Sequence, residues 1–191
     1  LTASAFNLIA KEEPALFATM RWVSFGGEKA DVSAVRRVLA HGKPAHLVNG
    51  YGPTECTTFS VCYEIPPDQP MVDHLPIGRP IARTKVHVVD EQLQLVPQGV
   101  EGEILISGDG NARGYLNRPE LTAERFIPNR LDGEGTLYRT GDYGRWLPDG
   151  NLEYIGRRDQ QIKLRGYRVE LGEIELALKR LPQVEEAAVV L

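Results

Sequence analysis

Gly156-Arg157-Arg158-Asp159-Gln160-Gln161-Ile162-Lys163-Leu164-Arg165-Gly166-Tyr167-Arg168-Val169-Glu170-Leu171-Gly172-Glu173-Ile174-Glu175 joins a charged joint, a strand and a helix start in one short run. Gln161, Lys163 and Arg165 alternate with Ile162 and Leu164, the period-two pattern of a half-exposed strand. Ile174, Ala177, Leu178 and Leu181 then recur at helical spacing, and Pro182 ends the pattern. Acidic residues at the start of that helix suit its dipole. The apolar run within 185–191 reads as a buried strand. The segment predicts a β-α-β opening of a small unit, with a boundary at about residues 157–160.

Upstream, the pattern changes twice. Residues 2–20 carry a helix-like face of Phe6, Ile9 and Ala10, then Leu16 and Phe17. Trp22 to Phe25 is a short apolar run that stops at Gly26-Gly27, as a buried strand would. Asp31 can cap a helix from Val32 to Leu39, with Val35, Val38 and Leu39 inward, and His46 to Val48 is the next strand. Residues 1–50 thus predict a parallel sheet covered by helices. After residue 60 the chain becomes β-rich: strands at 85–90 and 103–106, and a 146–155 hairpin around Pro148-Asp149-Gly150. The fold class expected is α/β and β-rich.

Composition excludes several functions. The 191 residues are 42% hydrophobic and 25% charged, ordinary for a globular protein. A net charge of −4 argues against a nucleic-acid partner. No apolar run is long enough to span a membrane. Cys56 and Cys62 form neither a zinc pattern nor a disulfide framework, which points to the reducing cytoplasm. His41, His46, His74 and His87 show no ligand or catalytic spacing. Leu1 in place of Met, and an end within an apolar run, read as a piece of a longer chain.

Three further stretches can carry chemistry. In Asn49-Gly50-Tyr51-Gly52-Pro53-Thr54-Glu55, a Gly-Pro turn lets the backbone approach a ligand, Thr54 offers a hydroxyl to phosphate, and Glu55 is a hard oxygen donor suited to Mg²⁺. Tyr51 can lie against a purine. The same residues equally make a strand-ending turn with a capping Thr54 and a solvent-facing Glu55. In Tyr138-Arg139-Thr140-Gly141-Asp142, the carboxylate can reach outward to two vicinal hydroxyls, or close an Asx-turn on its own backbone. Gly102 to Leu116 is a strand and a glycine-rich bend, read mainly as scaffold. Arg158, Lys163 and Arg165 read as solvated surface charge.

Together these motifs, in this order and spacing, closely resemble the adenylation domains of nonribosomal peptide synthetases, members of the adenylate-forming enzyme superfamily. Asn111 stands where that family often has Val. The resemblance implies the later part of the large adenylate-forming subdomain over 1–157, then the hinge and start of the small α+β C-terminal subdomain over 158–191. It implies ATP and Mg²⁺, with Asn49, Tyr51, Thr54, Asp142 and Arg157 on the nucleotide and Glu55 on the metal. Thr54, Glu55 and the hinge residue Asp159 would serve catalysis, and Gly166 and Arg168 would approach the site for the second step. Ser4, Ser24, Gly26, Gly50, Thr58 and Phe59 fall where the family lines its amino-acid pocket. The implied partners are a peptidyl carrier domain bearing phosphopantetheine and a condensation domain. The family's pyrophosphate loop and catalytic lysine lie outside these residues, so the 191-residue piece alone is expected not to catalyse adenylation. The alternatives are an acyl- or aryl-CoA synthetase, or a degenerate nucleotide-binding module.

Overall fold

The computed structural model describes residues 1–67, 74–133, 135–158, 161–164, 167–181 and 183–190, with the backbone alone for 162–164 and 168. Its first layer grows from α1 (Ala3–Glu12), β1 (Trp22–Gly26), α2 (Val32–His41) and β2 (His46–Tyr51). Thr2 caps α1 through Ala5 N–H, and Asp31 caps α2 through Ser33 and Ala34 N–H. The expected helical run over 2–20 is broken. Pro14 cannot continue α1, Glu13 leaves helical geometry at φ −144°, and a 3-10 turn follows over Pro14–Phe17. Phe6 stacks on Phe25 at 4.0 Å, and both are fully buried with Val35 and Val38.

β1 and β2 pair in parallel, with Gly26 opposite Gly50. This pair meets the parallel expectation for residues 1–50, and the strands that follow run the other way. β3 (Val61–Glu64) returns antiparallel on β2, and β4 (Arg79–Pro80) antiparallel on β3. The link over 52–60 is shorter than the dozen or so residues of a parallel crossover, so it can only reverse the chain. β2 also runs through Asn49, Gly50 and Tyr51, so the turn begins at Gly52.

The second layer is the expected β-rich section, and its strands pair antiparallel. β5 (Thr84–Val89), β6 (Gly102–Gly108), β8 (Thr136–Trp146) and β7 (Phe126–Pro128) lie in the order β5-β6-β8-β7, with α3 (Pro119–Arg125) leading into β7. β9 (Leu152–Arg157) folds back on β8 through the expected Pro-Asp-Gly hairpin. Ile104 and Ile106 of this sheet share one core with Tyr51 and Val61 of the first, and a Gly78–Leu152 bridge joins the two sheets. Tyr51 therefore sits on the seam between the layers.

The last part departs from the β-α-β expectation. β10 (Gln161–Leu164) and β11 (Tyr167–Glu170) form an antiparallel hairpin before α4 (Leu171–Lys179). Residues 185–190 form no strand, and Val190 is 87% exposed. No described strand pairs with that run, and Val189 N–H donates instead to Glu175 Oε1 at 2.9 Å. The predicted apolar face of α4 is also open, with Ile174, Leu178 and Leu181 exposed. Among the described residues no helix is long and apolar enough to cross a membrane.

Candidate functional site

Asp142 owes its position to a break in β8. Gly141 takes φ +71°, which a side chain rarely adopts, and the β6–β8 register shifts beside it. Thr140 Oγ1 donates to Ile104 O at 2.7 Å and accepts from Asp142 N–H at 2.9 Å. Asp142 is thereby turned into the seam, only 2% exposed. Its Oδ2 accepts from Tyr51 O–H at 2.6 Å, and its Oδ1 accepts from Arg157 Nη1 at 2.9 Å. The same Arg157 nitrogen donates to Thr140 O at 3.0 Å. Asp142 does not stand free in solvent: its strand neighbours bury it, and both oxygens carry a bond. Burial first, and then the Asp142 charge, raise the Tyr51 phenol well above its ordinary 10.0.

Glu55 lies on a 3-10 turn over Thr54–Cys56 and is 8% exposed, so the solvent-facing alternative for it is removed. Tyr115 O–H donates to its Oε1 at 2.6 Å, and Ala112 N–H donates to its backbone oxygen at 2.7 Å. Thr57 and Thr58 follow with φ +58° and +67°, a left-handed pair that non-glycine residues rarely adopt. Thr57 Oγ1 offsets that strain by donating to Gly110 O at 2.8 Å. Burial first, and then the Glu55 charge, push the Cys56 thiol up to about 12. Thr54 and Thr58 are exposed on this turn.

Beside the seam lies a cleft, partly open to solvent. Gly27, Glu28, Asn49, Gly50, Tyr51 and Tyr154 are among the residues that line it. Asn49 is buried, its Nδ2 donating to Pro76 O at 3.0 Å. Gly26, Gly50 and Phe59 adjoin: a Cβ on Gly50 would lie 2.5 Å from the Phe59 ring, and one on Gly26 would lie 2.1 Å from Gly50 O. Ser4 reaches the same region by donating to Glu28 Oε2 at 3.0 Å. Ser24 is exposed on β1, its carbonyl holding the Leu1 amine at 2.9 Å. Asp159 and Gly166 lie outside the described residues, as does the Arg168 side chain. Sequence reasoning missed Glu28, Tyr115 and Tyr154. Glu28 follows a strand-ending Gly-Gly and was findable, whereas Tyr115 and Tyr154 meet the site only through long-range pairing.

A family described as AMP-binding enzyme matches residues 1–116. The chain belongs to the AMP-binding enzyme family. Among curated members it is 50% identical over 189 residues to tyrocidine synthase 3 of Brevibacillus parabrevis, covering 99% of this chain and 3% of that protein. It is 46% identical over 189 residues to surfactin synthase subunit 3 of Bacillus subtilis strain 168, covering 99% of this chain and 15% of that protein. Of solved structures, holo-PA1221, a nonribosomal peptide synthetase protein with adenylation and carrier domains, superposes with a TM-score of 0.93 at 40% identity, over 100% of this chain and 33% of that one. This AMP-binding enzyme chain therefore spans a small part of those synthases and a third of that structure. Its likeness is to their adenylation domains.

A nucleotide-borne Mg²⁺ fits the donors present. Among the described residues no three His, Cys, Asp or Glu side chains converge as a metal cage. Mg²⁺ held chiefly by phosphates needs only one or two carboxylates. Glu55, buried beside the 54–57 turn, is a carboxylate of that kind.

Proposed function

We propose that the parent protein activates an amino acid with ATP and passes it to a carrier domain for nonribosomal peptide assembly. In the first step a substrate carboxylate oxygen attacks the α-phosphorus of ATP. The bond to the β-phosphate oxygen breaks, leaving aminoacyl-AMP and pyrophosphate. In the second, the phosphopantetheine thiol attacks the acyl carbon, AMP leaves, and a thioester forms.

The residues divide these tasks. Asn49 and Tyr51 bound the adenine side of the cleft. Asp142 meets the ribose hydroxyls: a carboxylate has about four acceptor sites, and bonds from Tyr51 and Arg157 occupy two. Arg157 fixes that carboxylate and adds positive charge near the sugar and phosphate. Thr54 contacts phosphate, and Glu55 would hold Mg²⁺, which neutralises developing phosphate charge when bound. Ser4, Ser24, Gly26, Gly50, Thr58 and Phe59 shape the amino-acid pocket. Residues 1–157 belong to the large subdomain and 158–191 to the hinge and small subdomain, with Asp159 as pivot between the steps. The cytoplasm is the proposed compartment, and a condensation domain the further partner.

One observation supports this reading most. A 2.6 Å hydrogen bond between Tyr51 and Asp142, 91 residues apart, unites the two nucleotide motifs at the cleft. The test is mass spectrometry of the full-length parent after ATP, coenzyme A and candidate acids are added. An amino-acyl thioester on the carrier is expected. Acid recovered only on free coenzyme A would replace this reading with a CoA ligase.

A further inference from the structure

We infer that Tyr115 is a positioning residue for Glu55, orienting its carboxylate toward nucleotide-bound Mg²⁺; the inference rests on the nucleotide reading above. The glycine-rich bend after β6 is more than scaffold, because it grips the 54–57 turn at three points. Ala112 N–H donates to Glu55 O, Gly110 O accepts from Thr57 Oγ1, and Tyr115 O–H donates to Glu55 Oε1. The first two fix the backbone of the turn. Of the three, only the last acts on the carboxylate itself, which the Tyr138 hydroxyl also bonds.

Tyr115 is itself held on every side. Its N–H donates to Thr122 Oγ1 at 2.9 Å, at α3, and its ring packs edge-on to Phe126 at 5.6 Å. Its hydroxyl lies 3.2 Å from that of Tyr138. A phenol has one proton. Tyr115 spends its proton on Glu55, and the Tyr138 hydroxyl bonds both Tyr115 and Glu55, so the three form one chain of hydrogen bonds around the carboxylate. The chain also ties Tyr138, from the ribose motif, to Glu55, from the phosphate motif.

The experiment is calorimetric binding to the full-length parent, with Mg·ATP and with ATP in chelator, comparing wild type, Tyr115→Phe, Glu55→Gln and the double variant. Phe keeps the ring against Phe126, so thermal unfolding should be little changed. Losing a hydrogen bond to a charged group predicts about tenfold weaker Mg·ATP binding in Tyr115→Phe. Affinity for metal-free ATP should stay within about twofold. In the Glu55→Gln background the Tyr115 change should add little. Equal loss with and without metal would reduce Tyr115 to scaffold. Unchanged or tighter Mg·ATP binding, or additive losses in the double variant, would also overturn the inference. A wild type that binds no nucleotide would instead overturn the nucleotide reading, and this inference with it.

Discussion

At the scale of single residues, the site runs on buried polar groups that satisfy one another. Asp142 and Arg157 have side chains only 3% and 8% exposed. Charges so buried persist only when paired and hydrogen-bonded. Tyr51 completes the set, and its phenol must keep its proton to donate. A phenol whose folded value lies above its unfolded one holds its proton in the folded state. Its stabilising contribution is full below pH 10.0 and is lost as pH rises above that. Tyr51, Tyr63 and Tyr138 are all raised in this way. An ultraviolet absorbance titration of the seven tyrosines should show these three ionising only above pH 10, accompanied by unfolding. All seven titrating together in a folded protein would contradict the buried placement. Asp142 was legible as a candidate site residue from its motif, but its inward turn was not. The break at Gly141 and the pairing to β6 and β9 that bury it are long-range facts. The grip of Tyr115 on Glu55, 60 residues away, is likewise invisible to local reading.

At the scale of elements, periodicity and caps were legible because they are local. The Asp31 cap, the β5 and β6 strands and the Pro-Asp-Gly hairpin all follow from short-range chemistry. Strand direction was not legible beyond β2, because it depends on which strand pairs next. The apolar stripe of α4 tells which face seeks a partner but names none, so its exposure could not be read. Close approach of β1 and β2 is the element-scale feature with the sharpest consequence. A Cβ on Gly26 would meet Gly50 O at 2.1 Å, inside the wall of the proposed pocket. Gly26→Ala should cost about 1–3 kcal/mol of stability, as overpacking does. Urea unfolding of wild type and variant measures it, and equal midpoints would mean that the strands are not so close.

At the scale of the whole molecule, two sheets meet along one seam, bridged at Gly78 and Leu152. That seam gathers residues from stretches far apart in sequence: Tyr51, Glu55, Tyr115, Tyr138, Asp142 and Arg157. The order of the motifs was legible, whereas their convergence required the fold. This gathered site is proposed to activate an amino acid as its adenylate. Substrate-dependent exchange of labelled pyrophosphate into ATP, by the full-length parent across amino, aryl and fatty acids, tests it most directly. Exchange with one amino acid is predicted, falling about a hundredfold in Asp142→Asn if two ribose hydrogen bonds to the charged carboxylate are weakened. Exchange with fatty or aryl acids alone, or none in a folded protein that binds ATP, would contradict it.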